Sequence, residues 1–317
     1  MSKKKLLLIA FGGNALLQAK EPRTFENQLE NSYKTFSKLL FLFKNDYQIV
    51  ITHGNGPQVG DLLIKHDNAK NVLPPFPLDS CVAESQGDIG YMLQQALQNT
   101  LLKENIKRNV VTILTQVEVD ANDPAFKNPT KPVGPFYHDK NIVDALINEK
   151  GWVIKEDSGR GYRRMVPSPM PFKVIEESII RHLVNNNDIV ITVGGGGIPV
   201  ARKEDGSLYG VEAVIDKDLA SNVLASSMET DIFIILTAVP FVYINFGKEN
   251  QKALEKITLE EAKHYMEEGH FAKGSMEPKI RASIKYLEAG GHEVLITSID
   301  DLEDSINGKK GTRIVAK

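Results

Sequence analysis

The chain carries a single cysteine, Cys81, in 317 residues. It can neither staple itself internally with a disulfide nor build a cysteine metal site, which places it in a reducing compartment, the cytoplasm. An excess of one charge is also missing, because 38 Lys and Arg against 41 Asp and Glu leave a formal charge of -3. That balance argues against a nucleic-acid partner, which needs a strongly basic face to displace condensed counterions. No apolar run approaches the ~18 residues that cross a bilayer. Lys3, Lys4 and Lys5 followed by Leu6 to Phe11 imitate a signal peptide. The run stops at Gly12-Gly13-Asn14 without a small-residue cleavage site, so it reads as a buried strand feeding a glycine turn. Internal repeats and low-complexity tracts are absent. So are the two common nucleotide fingerprints, G-x-x-x-x-G-K-[ST] and a G-x-G-x-x-G that opens a helix with an acidic residue downstream. A hydride-transfer enzyme is thereby disfavoured.

What remains is an ordinary globular composition, 42% hydrophobic and 25% charged. At roughly 150 residues per domain, the length suits two domains or one domain with an inserted piece. Short apolar runs alternate with amphipathic stretches throughout, the pattern of parallel strands joined by crossover helices. Strands are expected at 5–11, 47–52, 109–117, 188–194, 231–236 and 293–297, continuous and rich in Val, Ile and Leu as in a sheet covered on both faces. Helical spacing of Phe25, Leu29, Tyr33, Phe36, Leu40 and Phe43 predicts one helix over 24–44. Further helices are expected at 84–104, 219–227 and 278–290, the last ending at Gly290-Gly291. Residues 118–172 stand apart. Seven prolines punctuate them, and Arg160, Arg163 and Arg164 cluster there, which marks an inserted subdomain or lid.

Three expected strands run directly into glycine: at Gly12-Gly13-Asn14, at His53-Gly54-Asn55-Gly56-Pro57 and at Gly194-Gly195-Gly196-Gly197. Glycine at the carboxyl end of a strand lets backbone N–H groups surround an anion, and in open parallel sheets ligands gather at that edge. A tight structural turn explains any one of them equally well; three on one edge point to a phosphate site. Phosphoryl transfer needs positive charge more than covalent chemistry. Two lysines lie suitably: Lys217, between Asp216 and Asp218 just before a helix, and Lys279, in the first turn of the 278–290 helix. Taken alone, each also reads as a salt-bridged surface lysine. His53 adjoins the second glycine turn and, as a lone histidine, reads as structural.

At these residues the chain resembles the carbamate kinases, a branch of the amino acid kinase family. The matching stretches are FGGNAL at 11–16, THGNGPQVG at 52–60, SQGDIGYM at 85–92, NPTKPVGPFY at 128–137, EDSGRGYRRMVPSP at 156–169, GGGGIPV at 194–200, EAVIDKD at 212–218 and FAKGSMEPK at 271–279. They span the chain in order.

The resemblance implies an α/β fold, an open and mainly parallel sheet sandwiched by helices, with a protruding subdomain at about 118–172. It implies an N-terminal lobe, 1–211, for carbamate or carbamoyl phosphate and a C-terminal lobe, 212–317, for ATP or ADP, in a homodimer. The implied reaction is reversible, ATP and carbamate giving ADP and carbamoyl phosphate, run toward ATP during arginine breakdown. Carried onto matching positions, Gly12, Gly13, Asn14, Gly54, Asn55, Gly195 and Gly196 bind the substrate and phosphoryl group. Lys217 and Lys279 neutralise the phosphates, and Asp216 orients both lysines. The nucleotide lies against Ala238, Val239, Val242 and Tyr243, with Met276 on the same side, although Val242 fits a core position equally well. Mg2+ arrives with the nucleotide and no protein metal cage is expected. Ala10 stands where many relatives that act on amino-acid carboxylates have a lysine, so Lys131 of the inserted subdomain is inferred to supply that charge on closure. Ala238 replaces an aspartate common in carbamate kinases. Two alternatives stay open: a kinase of another small carboxylate, and a catalytically silent nucleotide-binding regulator.

Overall fold

The computed structural model describes residues 4–12, 21–157 and 159–317. An eight-stranded sheet forms its centre, in the spatial order Lys256–Thr258, Thr312–Val315, Glu293–Ser298, Ile232–Thr237, Leu6–Phe11, Gln48–His53, Ile189–Thr192 and Val110–Thr112. All neighbours run parallel except Glu293–Ser298 with Thr312–Val315. The continuous apolar runs are explained by burial on both faces. Leu6, Leu8, Ala10, Val50, Val190, Phe233 and Ile235 join one core. Their alternates Leu7, Ile9, Phe11, Ile49, Ile51, Ile191 and Ile234 join the other.

Helices seal both sides. Phe36, Leu39, Leu42 and Phe43 cover the second core together with Ile89, Leu93, Ala96 and Leu97 of the long helix Leu78–Lys103. On the opposite face, Leu219, Ala220 and Leu224 of helix Lys217–Ser227 pack beside Ile280, Ile284 and Tyr286 of helix Met276–Glu288. Among the described residues, no helix is long and apolar enough to cross a membrane.

Three expected elements differ in detail. The 24–44 helix is two, Phe25–Lys38 and Leu40–Lys44, because the amide of Leu39 bonds three residues back to Phe36 and the turn tightens there, with Leu39 wholly buried. The helix expected from 84 starts at Leu78, directly after Pro77, whose extended backbone sets the chain entry. The strand expected over 109–117 splits, Val110–Thr112 staying in the main sheet while Gln116–Val119 enters a second, four-stranded sheet.

Inside the Pro-rich stretch, Lys131–Tyr137, Val153–Glu156 and Tyr162–Val166 form a separate antiparallel sheet with helix Lys140–Lys150 beside it. The two ends of this stretch pair with each other, Val117 opposite Val174 and Glu118 opposite Lys173. Its apolar underside, Val133 and Val166, packs on Val59 of helix Gly56–Ala69 and on Leu78, Cys81 and Val82. Guanidinium groups stack on its rings, Arg163 on Phe136 and Arg164 on Trp152.

Candidate active site

Strands Leu6–Phe11, Gln48–His53 and Ile189–Thr192 end side by side, so the glycine turns that follow them meet at one edge of the sheet. A Cβ on Gly54 would lie 3.4 Å from Cδ of Lys217, so the lysine stem crosses that glycine. A Cβ on Gly195 would collide with the Asn55 side chain, and one on Gly196 with the carbonyl of Ile215. A Cβ on Gly12 would lie 3.0 Å from the carbonyl of Leu236 on the neighbouring strand. Gly13 and Asn14 lie outside the described residues. The residues between Val193 and Gly197 adopt left-handed backbone at Val193, Gly195, Gly196 and Gly197, with φ of 51, 67, 95 and 89°. For the β-branched Val193 this conformation is strained, at a cost of order 1–3 kcal/mol, and such strain gathers at functional sites.

Positive ends of helices converge on the same place. Lys217 begins helix Lys217–Ser227, Lys279 sits in the first turn of Met276–Glu288, and Gly56–Ala69 starts directly after Asn55. The helix dipole makes each terminus attractive to an anion, although Asp216 already accepts the amides of Asp218 and Leu219 at the first of them. A buried hydroxyl pair, Thr52 with Ser221 at 2.7 Å, pins the Lys217 helix to the strand that ends in Gly54.

The lysines are held by a carboxylate that the sequence did not single out. Nζ of Lys217 donates to Oδ1 of Asp218 at 2.5 Å, and Nζ of Lys279 to Oδ2 of the same residue at 2.9 Å. Asp216, expected to orient both, hydrogen-bonds neither, although its charge attracts the Lys217 ammonium. Its Oδ1 caps the helix by accepting the amides of Asp218 and Leu219, and its Oδ2 accepts from Nζ of Lys131 at 3.0 Å. Both carboxylates flank Lys217 in sequence; only the helical turn decides that residue 218 faces inward while residue 216 caps the end.

Burial pushes the Asp218 carboxyl upward, but attraction and hydrogen bonds from Lys217 and Lys279 outweigh it and hold the group at about 2. Burial lowers the Lys217 ammonium, aided by the repulsion of Lys279 and opposed by Asp218. His53 is buried and lowered to about 4, chiefly by desolvation and further by Lys217, so it is neutral at pH 7. Its Nδ1–H donates to the carbonyl of Gly54 at 3.0 Å.

A layer of buried amides and hydroxyls behind the turns also escaped the sequence reading. Asn55 donates to Oγ of Ser85 at 2.8 Å, and the neighbouring Gln86 reaches the carbonyl of Gly194 at 2.9 Å. Ala10 lies fully buried in the core, with no charge at that position.

Of the residues expected to line the nucleotide, Ala238 is exposed and Val239 half-buried just past strand Ile232–Thr237. Tyr243 stands between the rings of Phe241 and Phe246. Val242 is wholly buried, its amide donating to Oγ1 of Thr312, and serves the core. Met276 opens its helix, partly buried against the same core. Among the described residues, no three His, Cys, Asp or Glu side chains gather to hold a metal ion. Asp216 and Asp218 commit their oxygens to ammonium groups and helix amides, a donor set unsuited to a resident cation.

Residues 5–298 match the model of the amino acid kinase family. The chain is 50% identical to the carbamate kinase of Thermococcus kodakarensis over 314 residues, 98% of this chain and 99% of that one. It is 49% identical to the carbamate kinase of Pyrococcus furiosus, with the same coverage. Its structure superposes on that of the carbamate kinase from Giardia lamblia bound to AMP-PNP with a TM-score of 0.94, at 45% identity and 99% coverage of both chains. The chain belongs to the amino acid kinase family and, within it, to the carbamate kinases.

Proposed function

We propose that this chain interconverts ATP plus carbamate and ADP plus carbamoyl phosphate, with the phosphoryl group passing between the glycine turns and the paired lysines. The observation that carries this reading is the convergence of Lys217 and Lys279 on one buried carboxylate, beside Gly54-Asn55 and the Val193–Gly197 turn. A carbamate oxygen forms a bond to the γ-phosphorus while the bond to the β,γ-bridging oxygen breaks and ADP departs. Carbamate is already an anion, so no proton has to be removed and a base is superfluous. The neutral, hydrogen-bonded His53 is consistent with this. Charge on the equatorial oxygens is met by two ammonium groups and by backbone N–H groups fixed before the reaction begins.

In this reading Gly12, Gly13, Asn14, Gly54, Asn55, Gly195 and Gly196 surround the carbamoyl phosphate. Asp218 fixes the two lysines, and Lys131 with Asp216 brings a third ammonium from the inserted subdomain. In the same reading the nucleotide lies along Ala238, Val239 and Tyr243 near Met276; use of an adenine nucleotide is supported by the AMP-PNP bound to the Giardia relative. Mg2+ would arrive with the nucleotide and would supply charge neutralisation on its phosphates, beside the ammonium groups of Lys217 and Lys279. The lobes divide at about residue 211, although one sheet runs through both.

The chain works as a homodimer, for which the outer edge of strand Val110–Thr112 and the nearby exposed Leu114 and Leu102 offer a surface. It serves arginine breakdown in the cytoplasm. Purified protein mixed with carbamoyl phosphate and MgADP is expected to make ATP; a panel of other acyl phosphates giving ATP in its place would overturn the substrate assignment.

A further inference from the structure

The strained Val193–Gly197 turn does not hold its shape unaided, and its fastening lies outside the groups that meet the phosphate. Strain of this kind persists only where the surroundings over-determine it. Two residues from distant parts of the chain do so. Oγ1 of Thr115 accepts the amide of Val193 at 3.0 Å and pairs with the hydroxyl of Thr192 at 2.7 Å. Gln86, on the long helix Leu78–Lys103, spends its whole amide on the same junction. Its Nε2 donates to the carbonyls of Gly194 and Thr115 at 2.9 and 3.1 Å, and its Oε1 accepts the amide of Thr115 at 2.8 Å. The side chain is 1% exposed, so these bonds face no competition from water. Its neighbour Ser85 holds Asn55, whose side chain packs on Gly195. One turn of one helix therefore sets both glycine turns relative to each other.

We propose that Gln86 is a positioning residue for phosphoryl transfer: it locks the Val193–Gly197 turn in the conformation whose backbone meets the transferring group. This rests on the proposed function. The hydrogen bonds of the Gln86 side chain go to Thr115 and Gly194 and not to the lysines or the Ala238–Tyr243 segment, so its loss is expected to act through geometry at the turn. A misplacement of about 1 Å costs about 100-fold in rate.

The test uses the full chain with Gln86→Met, which keeps the bulk and removes all three bonds. Where that variant does not fold, Gln86→Glu serves, since it keeps the acceptor for Thr115 and loses the donor to Gly194. Two readouts are taken on folded protein: hydrogen exchange of the amides from 193 to 197, and steady-state kinetics with carbamoyl phosphate and MgADP. Exchange at the turn is expected to accelerate at least tenfold, and kcat to fall roughly 10- to 100-fold with KM for MgADP nearly unchanged. A folded variant with parental exchange, or with parental kcat, overturns the proposal. A parent chain that makes no ATP defeats the function reading instead, while the exchange comparison still decides whether Gln86 holds the turn.

Discussion

Two aspartates separated by one residue bind ammonium groups in opposite ways. Asp218 is 4% exposed and clamps Lys217 and Lys279, themselves 16% and 13% exposed, between two helices of the core. Asp216 is 15% exposed and meets Lys131, 38% exposed, which arrives on the inserted subdomain. A buried pair is expensive to assemble and more expensive to break, because the abandoned charge has no water to turn to. A half-exposed pair is worth about 0–1 kcal/mol and forms or opens at little cost. The permanent charge of the site is thus built into the core. The adjustable charge sits on the inserted subdomain in an ion pair that opens at little cost, as suits the role proposed for Lys131.

The largest effect is expected from breaking the permanent half. Lys217→Met keeps the stem over Gly54 and removes the ammonium, leaving Asp218 with Lys279. Turnover with carbamoyl phosphate and MgADP is expected to fall ~100- to 1000-fold, the usual loss for one preorganised donor, while circular dichroism stays parental. Unchanged turnover would remove Lys217 from the chemistry.

Much of this arrangement is legible in residue order, and the exceptions have physical causes. The central strands announce themselves because burial on both faces demands uninterrupted Val, Ile and Leu. The glycine turns are visible because few other residues permit such close backbone approach. Which of Asp216 and Asp218 faces the lysines is not visible: that choice depends on the exact residue where a helix begins, and on a second helix 60 residues away. The break inside 109–117 is hidden for a related reason. Thr115 leaves the sheet because Gln86, remote in sequence, binds both its amide and its carbonyl. Val242 satisfied the pattern of a nucleotide wall and of a core equally; only packing tells them apart.

Acid probes the buried half through His53 and Asp218, both of which titrate below their ordinary values. His53 falls from 6.5 to about 4 on folding, so the unfolded chain takes up a proton first and stability drops as pH descends through that window. Asp218 moves from 3.8 to about 2; its contribution is whole above the unfolded value and disappears as pH falls toward the folded one. The first amounts to roughly 3 kcal/mol and the second to roughly 2 kcal/mol. Urea midpoints followed against pH are therefore expected to decline in two successive stages. His53→Asn, which can still donate to the Gly54 carbonyl, flattens the first stage; Asp218→Asn flattens the second and leaves the first. A His53→Asn variant that tracks the parent from pH 6.5 to 4 would show that the histidine is not held neutral.

The smallest effect belongs to the adjustable half. Lys131→Ala removes a solvent-screened partner of Asp216, whose Oδ1 still caps the helix, so the unfolding free energy from urea titration is expected to fall by no more than about 1 kcal/mol. In catalysis the loss is roughly tenfold in kcat/KM for carbamoyl phosphate, below that of Lys217 because the exposed ammonium acts through water. Screening supplies the discriminating measurement. Raising ionic strength from 0.01 to 1 M shortens the Debye length from about 30 to about 3 Å, which weakens the exposed ammonium and barely touches the buried pair. The parental rate is expected to fall with salt toward that of Lys131→Ala, and the variant itself to respond little. A variant as damaged as Lys217→Met, with salt dependence intact, would place Lys131 in the permanent machinery and erase the distinction between the two aspartates.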